Sequence, residues 1–537
     1  MAIKLQGDVW MESNNLEYFK KLYNVSSDVM ADHQQKMVEM PADLLELILH
    51  SLNAQQVYWL GILSYFNEFS TPFWTSLNSF LTKEKEKIRE VNLLETMHDY
   101  IELYKFNLQI AEKGAEPSIS GLHEYHKSQT EKFMEAFIHF LFNIDGENIK
   151  DVSKSNAQTL NNLVQAFPQA IQDIKKEFGF HFDDGGYAKI AETDRFTLYQ
   201  VFSRDKKIKV RKKAKPIMIV HPYVLGANIL GFLPDEKKSY AHAFADQGIP
   251  TYVRILKDIE ENPALQVMTG EDDARDMRYF CEIIKKKHNK MVTLNGFCQG
   301  GFICVCNLLS GELDDLVDAL ITCVSPIDGT RSKALVEYLE HIPPRFRDLS
   351  YASKELPSGN RVVDGKVMSW VYKLKSMEKE APLVTFSRDL ASVESMSLPD
   401  GNFHINKTAA ALMHWLTYDR LDLPLAITQM SFDSYTIPIT SDGTLPVKLF
   451  GRELNFRRMK EHGIKWLICY GEGDDLVDKD TTLAALDYID AEVTPFPKGH
   501  GAIATTWSHP DSECALHKKF GKGYRGPVKY QLDLEEG

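Results

Sequence analysis

Hydrophobic and polar positions divide the chain near residue 180. Before that point apolar residues recur at helical spacing. Leu44, Leu45, Leu47, Ile48 and Leu52 do so in one segment, and Phe133, Phe137, Phe140, Leu141 and Phe142 in another. Glycine is scarce there, Pro41 stands where a helix would start, and Pro72 and Pro117 mark expected breaks. The pattern predicts a helical region over residues 1–190, packed as a bundle or presenting an amphipathic surface to a partner. Beyond Asp183-Asp184-Gly185-Gly186, a turn signal, short apolar runs take over. The alternation over 195–202 predicts an edge strand, and the basic stretch 204–215 reads as a charged hairpin turn. Runs at 216–220, 250–255, 291–294, 318–324, 464–470 and 491–496 predict buried strands. Helical patterns at 237–247 and 272–287 fall between them, and such alternation implies a mostly parallel sheet. From 327 to 445 the alternation is lost, which predicts an inserted cap within a domain covering 191–537.

Composition narrows the function classes. The chain has 537 residues, 44% hydrophobic and 26% charged, which fits a globular protein of two or three units. A net charge of −13 argues against nucleic acid or an anionic membrane surface as the main partner. No run approaches the roughly 18 apolar residues of a membrane span, and the first ten residues lack a signal peptide's apolar core. A cytoplasmic protein with no transmembrane segment is therefore expected. Seven cysteines, mostly within apolar runs and without CxxC spacing, read as free thiols, with no metal site.

The chemistry concentrates at Gly296-Phe297-Cys298-Gln299-Gly300-Gly301, after one predicted strand and before an apolar helical run. Strand, Gly-x-nucleophile-x-Gly, helix is the nucleophile elbow of the α/β-hydrolase fold, with Cys298 in the serine position. The turn is tight enough to need small residues on both sides, supplied by Gly296, Gly300 and Gly301. The helix N-terminus favours a thiolate. The loop after the 216–220 strand, His221-Pro222-Tyr223-Val224, is placed to give an oxyanion-hole N–H from Tyr223 or Val224, and Gln299 the second. The strand over 464–470 runs into Gly471-Glu472-Gly473-Asp474-Asp475, where the spacing selects Asp474 as the acid and leaves Asp475 as the alternative. His500, between Gly499 and Gly501 after the last strand, is the expected base. His221 is a weaker candidate because it sits on the oxyanion loop. Nucleophile, acid and histidine follow in the order this fold uses.

These residues resemble the polyhydroxyalkanoate synthases. The match covers the whole Gly-x-Cys-x-Gly-Gly box at 296–301. Further similar segments are the loop following 216–220, Ser325-Pro326-Ile327-Asp328, Asp419-Arg420-Leu421-Asp422-Leu423-Pro424, Asp474-Asp475-Leu476-Val477-Asp478 and Gly499-His500. Asp475 and Asp478 stand where the family has histidine and proline, and His221-Pro222-Tyr223 replaces Pro-Pro-Trp, so the resemblance is to a divergent member. It covers roughly residues 195–505 and implies an α/β-hydrolase fold with a cap insertion, whereas the N-terminal α-helical domain read from the periodicity of residues 1–190 does not match the family's usual N-terminal domain. It implies an acyltransferase that polymerises (R)-3-hydroxyacyl-CoA through a Cys298 thioester, with His500 as base assisted by Asp474. No cofactor is implied beyond the CoA thioester substrate. A homodimer, and contact of the N-terminal helices with a polyester granule surface or a partner subunit, are further implications. A cysteine thioesterase of the same fold and a non-catalytic granule scaffold are the competing readings.

Overall fold

The computed structural model describes residues 42–87, 91–142, 148–396, 405–515 and 518. The chain divides into two compact units, one drawn from Met1–Thr71, Ala111–Ala170 and Met377–Asn406, the other from Pro72–Ile110, Ile171–Ser376 and Lys407–Gly537.

Two long helices, α1 (Ala42–Lys87) and α2 (Leu93–Phe142), carry the helical periodicity of the first part of the chain. Pro41 and the side chains of Leu44, Leu45, Phe140, Leu141 and Phe142 lie outside the described residues. Pro72 and Pro117 do not break the helices; both lie inside them. A proline in a helix interior gives up one backbone hydrogen bond and costs about 3 kcal/mol. Neighbouring hydroxyls take up nearby carbonyls: Thr71 Oγ1 donates to Asn67 O at 2.9 Å and Ser118 Oγ to Gly114 O at 2.6 Å. Within the first unit Leu47 packs against Ala136, Ile149 and Val152. Tyr58 stacks on Tyr125 and meets Phe386 edge-on.

The second unit is built on an eight-stranded sheet. Its strands are β1 (Tyr187–Glu192), β2 (Phe196–Val201), β3 (Ile217–Val220), β4 (Thr251–Leu256), β5 (Val292–Phe297), β6 (Val317–Cys323), β7 (Lys465–Gly471) and β8 (Glu492–Phe496). They lie in the order β1-β2-β4-β3-β5-β6-β7-β8. Only β2 runs against its neighbours; the pairs from β4 through β8 are parallel. This order with one reversed strand is the α/β-hydrolase fold. Every residue of β3 and of β5 is buried, as expected where helices cover both faces of a parallel sheet.

Three local expectations are corrected. β2 is not the edge strand, because β1 pairs with its outer side and takes the edge. Only Tyr187 of β1 is fully buried, so the strand left no strong apolar signal. Residues 204–215 are not a hairpin turn, because they join β2 to β3 and β4 lies between those strands. The elbow strand runs three residues past the apolar run, to Phe297, because Asn295 and Gly296 remain in the ladder beside Ile321 and Thr322.

Helix α3 (Gly270–His288) starts in a Thr269–Asp272 capping box and buries Asp273, Ala274, Met277, Phe280, Cys281 and Ile284, one helical stripe. Helix α4 (Gln299–Ser310) follows the elbow directly and is buried throughout. Between β6 and β7 the alternation gives way to helices and a small three-stranded sheet of 353–355, 361–363 and 423–424. Helix α5 (Leu425–Thr436) follows this sheet. Among the described residues no helix is long and apolar enough to cross a membrane, and no group of three or more His, Cys, Asp or Glu could hold a metal ion.

Candidate active site

Cys298 joins β5 to α4 with φ 51° and ψ −125°, a left-handed backbone that a side-chain-bearing residue adopts only when its surroundings impose it. Hydrogen bonds fix the turn: Cys298 N donates to Cys323 O at 2.8 Å and Gly301 N to Cys298 O at 2.9 Å. A Cβ at Gly296 would collide with Gly301, one at Gly300 with the Val220 carbonyl, and one at Gly301 with Ser325 Oγ. The glycines of the box are thus required by close approach of neighbouring strands and loops. Cys298 is 7% exposed, at the N-terminus of α4. The seven cysteines are all buried free thiols, and only Cys298 has this geometry.

Asp474 and His500, the candidate acid and base, come together from the ends of β7 and β8. His500 Nδ1 and Asp474 Oδ2 are 2.8 Å apart. Asp474 Oδ1 accepts from the backbone N–H groups of Leu476 and Val477, each at 2.9 Å. Its side chain is fully buried, and that of His500 is 9% exposed. Two backbone donors hold the carboxylate in place, and it in turn orients the imidazole. Burial alone would lower the His500 pKa. The Asp474 carboxylate, and after it the Cys298 sulfur, outweigh burial and push it up to about 10. The Phe297 ring meets the imidazole edge-on at 5.9 Å. Asp475, the alternative acid, is exposed, and its carbonyl accepts from Lys375 Nζ at 2.8 Å.

His221 differs in every respect. Its Nδ1 lies 3.0 Å from Pro222 O, and its Nε2 accepts from Leu256 N at 3.3 Å. Burial pushes its pKa down to about 4, so it is neutral with both ring nitrogens in use. On the oxyanion loop, Tyr223 N and Val224 N both donate to the side-chain oxygen of Gln299, at 3.1 and 3.3 Å. The Gln299 amide nitrogen donates to Ser431 Oγ at 2.8 Å.

Several residues around this loop were not anticipated. The Tyr223 hydroxyl joins a buried network with Arg254 and Asp273. Arg254 NH1 reaches Asp273 Oδ1 at 3.2 Å, and Asn307 Nδ2 donates to the same oxygen at 2.7 Å. Trp415 Nε1 donates to Leu225 O at 2.9 Å, and Gly226 faces Asp419. One signal was present: an arginine in the middle of the apolar run Tyr252-Val253-Arg254-Ile255 must have a buried anion as partner.

No protein-family model matches the sequence, and no curated protein matches it. Among solved structures, the chain is similar to a carboxylesterase of the thaumarchaeon Nitrososphaera gargenis, at 14% identity over 59% of this chain and 92% of that one, with a TM-score of 0.33. It is also similar to an epoxide hydrolase from Bacillus megaterium, at 12% identity over 59% and 94%, with a TM-score of 0.32. A third is Est1E from Butyrivibrio proteoclasticus, at 11% identity over 59% and 91%, with a TM-score of 0.28. The strand order and the elbow define an α/β-hydrolase fold.

Proposed function

We propose that this protein is an acyltransferase of the polyhydroxyalkanoate synthase type, acting on (R)-3-hydroxyacyl-CoA. The observation that carries the reading is a glycine-locked cysteine elbow in one unit with a hydrogen-bonded Asp474–His500 pair. The Gly-x-Cys-x-Gly-Gly box at 296–301 supports the choice of polymerase over esterase. Residues 191–537 are assigned as the catalytic domain, with about 327–445 as its cap.

In this reading the Cys298 sulfur attacks the thioester carbonyl. A C–S bond forms, the carbonyl electrons move to oxygen, and backbone N–H groups of Gln299 and the 223–224 loop stabilise the oxyanion. The bond to the CoA sulfur then breaks, and His500 gives its proton to the departing thiolate. Neutral His500 next takes the proton from the hydroxyl of a second hydroxyacyl group. That oxygen attacks the Cys298 thioester, an ester bond forms, and the Cys298 thiolate leaves. Exchange of one thioester for another is nearly isoenergetic, so CoA donors suit a cysteine nucleophile. Large apolar residues on α2, among them Leu94, Met97, Ile101, Tyr104 and Leu108, are over half exposed and support contact with a hydrophobic polyester surface.

The test is CoA release from (R)-3-hydroxybutyryl-CoA by the purified protein beside Cys298→Ala, with the product sized. High-mass polyester made by the wild type and absent with the variant is expected. Free hydroxy acid alone would instead make the protein a thioesterase, and no CoA release from short or medium chains would overturn the acyl-transfer reading.

A further inference from the structure

We infer that the Gln299 side chain is a positioning residue that cross-links the elbow, the oxyanion loop and helix α5, and that it leaves Val224, not Tyr223, as the loop's oxyanion donor. The inference rests on the reading of Cys298 as an acyl acceptor, and not on which acyl donor is used.

A backbone N–H has one hydrogen to give. Tyr223 gives its own to Gln299 Oε1 at 3.1 Å. The rest of Tyr223 is equally committed. Its ring is fully buried, and its hydroxyl is held by Asp273 and Arg254, which are themselves fully buried. Asn307 and Arg254 share the other oxygen of Asp273. Tyr223 is thus pinned at its backbone and at its ring tip, which makes it an anchor for the loop. Val224 N reaches the same amide oxygen at 3.3 Å, beyond the usual limit of about 3.2 Å for a good N–H···O bond. It is the weaker of two donors sharing one acceptor, and the one that a developing oxyanion can recruit. The donor count of the site stays at two, Val224 N–H and Gln299 N–H.

The far end of the amide fixes the arrangement. Gln299 Nε2 donates to Ser431 Oγ at 2.8 Å, and Ser431 lies on α5. Gln299 itself is 6% exposed, so little water competes for either end. Trp415 secures the same loop one residue further on, through the Leu225 carbonyl.

The experiment separates formation of the oxyanion from reactivity of the thiol. Burst acylation by p-nitrophenyl acetate needs the oxyanion pocket, whereas alkylation of Cys298 by iodoacetamide needs only the thiolate. Gln299→Leu is expected to slow the burst about 100-fold, the effect of a misplaced oxyanion donor, with alkylation within about twofold of wild type. Ser431→Ala keeps the acceptor and loosens its tether, and is expected to slow the burst about three- to tenfold with alkylation unchanged. Should Gln299→Leu fail to fold, Ser431→Ala decides. A burst equal to or faster than wild type in the folded variants overturns the inference, because the amide would then be idle or would block the pocket. Parallel loss of both rates also overturns it, since the elbow itself would have been damaged. A wild type that shows the burst but releases no CoA from hydroxyacyl-CoA sinks the polymerase reading and leaves this inference standing. A wild type with no burst sinks both.

Discussion

Two histidines, His221 buried and the His500 side chain 9% exposed, stand on loops at the same end of the sheet, after β3 and after β8, and the fold treats them in opposite ways. Burial acts on both in the same direction, against the charged ring. At His500 a carboxylate 2.8 Å away and the Cys298 sulfur reverse the effect and push the pKa up to about 10. At His221 nothing reverses it. Its Pro222 contact raises the pKa only in part, Arg254 adds to the fall, and the result is about 4. Its ring nitrogens are consumed by backbone groups on either side. Position in the fold nominates both histidines; the neighbouring charge decides which can move a proton.

Mutation of each ring sharpens that contrast most. His500→Ala is expected to cut CoA release roughly 10²–10⁴-fold, the span general acid–base catalysis supplies, with a melting temperature within a few degrees of wild type. His221→Ala removes an acceptor from Leu256 N and is expected to cost about 2 kcal/mol in denaturant unfolding, with a much smaller loss of turnover. Equal turnover losses, with stability untouched in both, would mean that the loop after β3 carries the base.

The acid offers a narrower comparison between adjacent residues. Asp474 is buried with both oxygens bonded, whereas Asp475 is exposed. Asp474→Asn keeps the volume and removes the charge that holds the imidazole proton. It is expected to lower turnover about 10²-fold. It should also move the alkaline limit of CoA release to lower pH, because the His500 pKa falls back towards its ordinary range and the proton for the departing thiolate is lost sooner. Asp475→Asn should leave the pH profile in place. A shift seen with Asp475→Asn and not with Asp474→Asn would reverse the assignment.

Most of the candidate site was legible in the sequence because its signals are local. Three tight glycines around Cys298, an acid after one strand and a Gly-flanked histidine after another need no knowledge of distant contacts. The parts that escaped are those fixed by long-range partners. Gln299 shows only its place after the nucleophile, and nothing local says that its amide reaches residues 223, 224 and 431. β1 escaped because an edge strand with one fully buried residue has no apolar pattern. Pro72 and Pro117 misled because helix-breaking is a local rule, and helices of 46 and 50 residues with hydroxyls beside the gaps can absorb it.

The smallest effect lies in stability, and its sign tests the charge on His500 without any substrate. The folded pKa of about 10 exceeds the unfolded value of about 6.5, so folding favours the protonated ring. Stability from this linkage is fully present below about pH 6.5 and is lost as pH rises through about 10. His500→Gln lacks the titrating group. The melting temperature of wild type minus that of His500→Gln should therefore be largest near pH 6 and shrink by a few degrees towards pH 10. The same subtraction for His221→Gln should run the other way at acid pH. His221 is held neutral, so its contribution is present above about pH 6.5 and is lost as pH falls towards about 4. Opposite slopes from these two histidines would show that their neighbours set their charge. A His500 difference that grows towards pH 10 would mean that the resting ring is neutral and that the thiolate must form during the reaction.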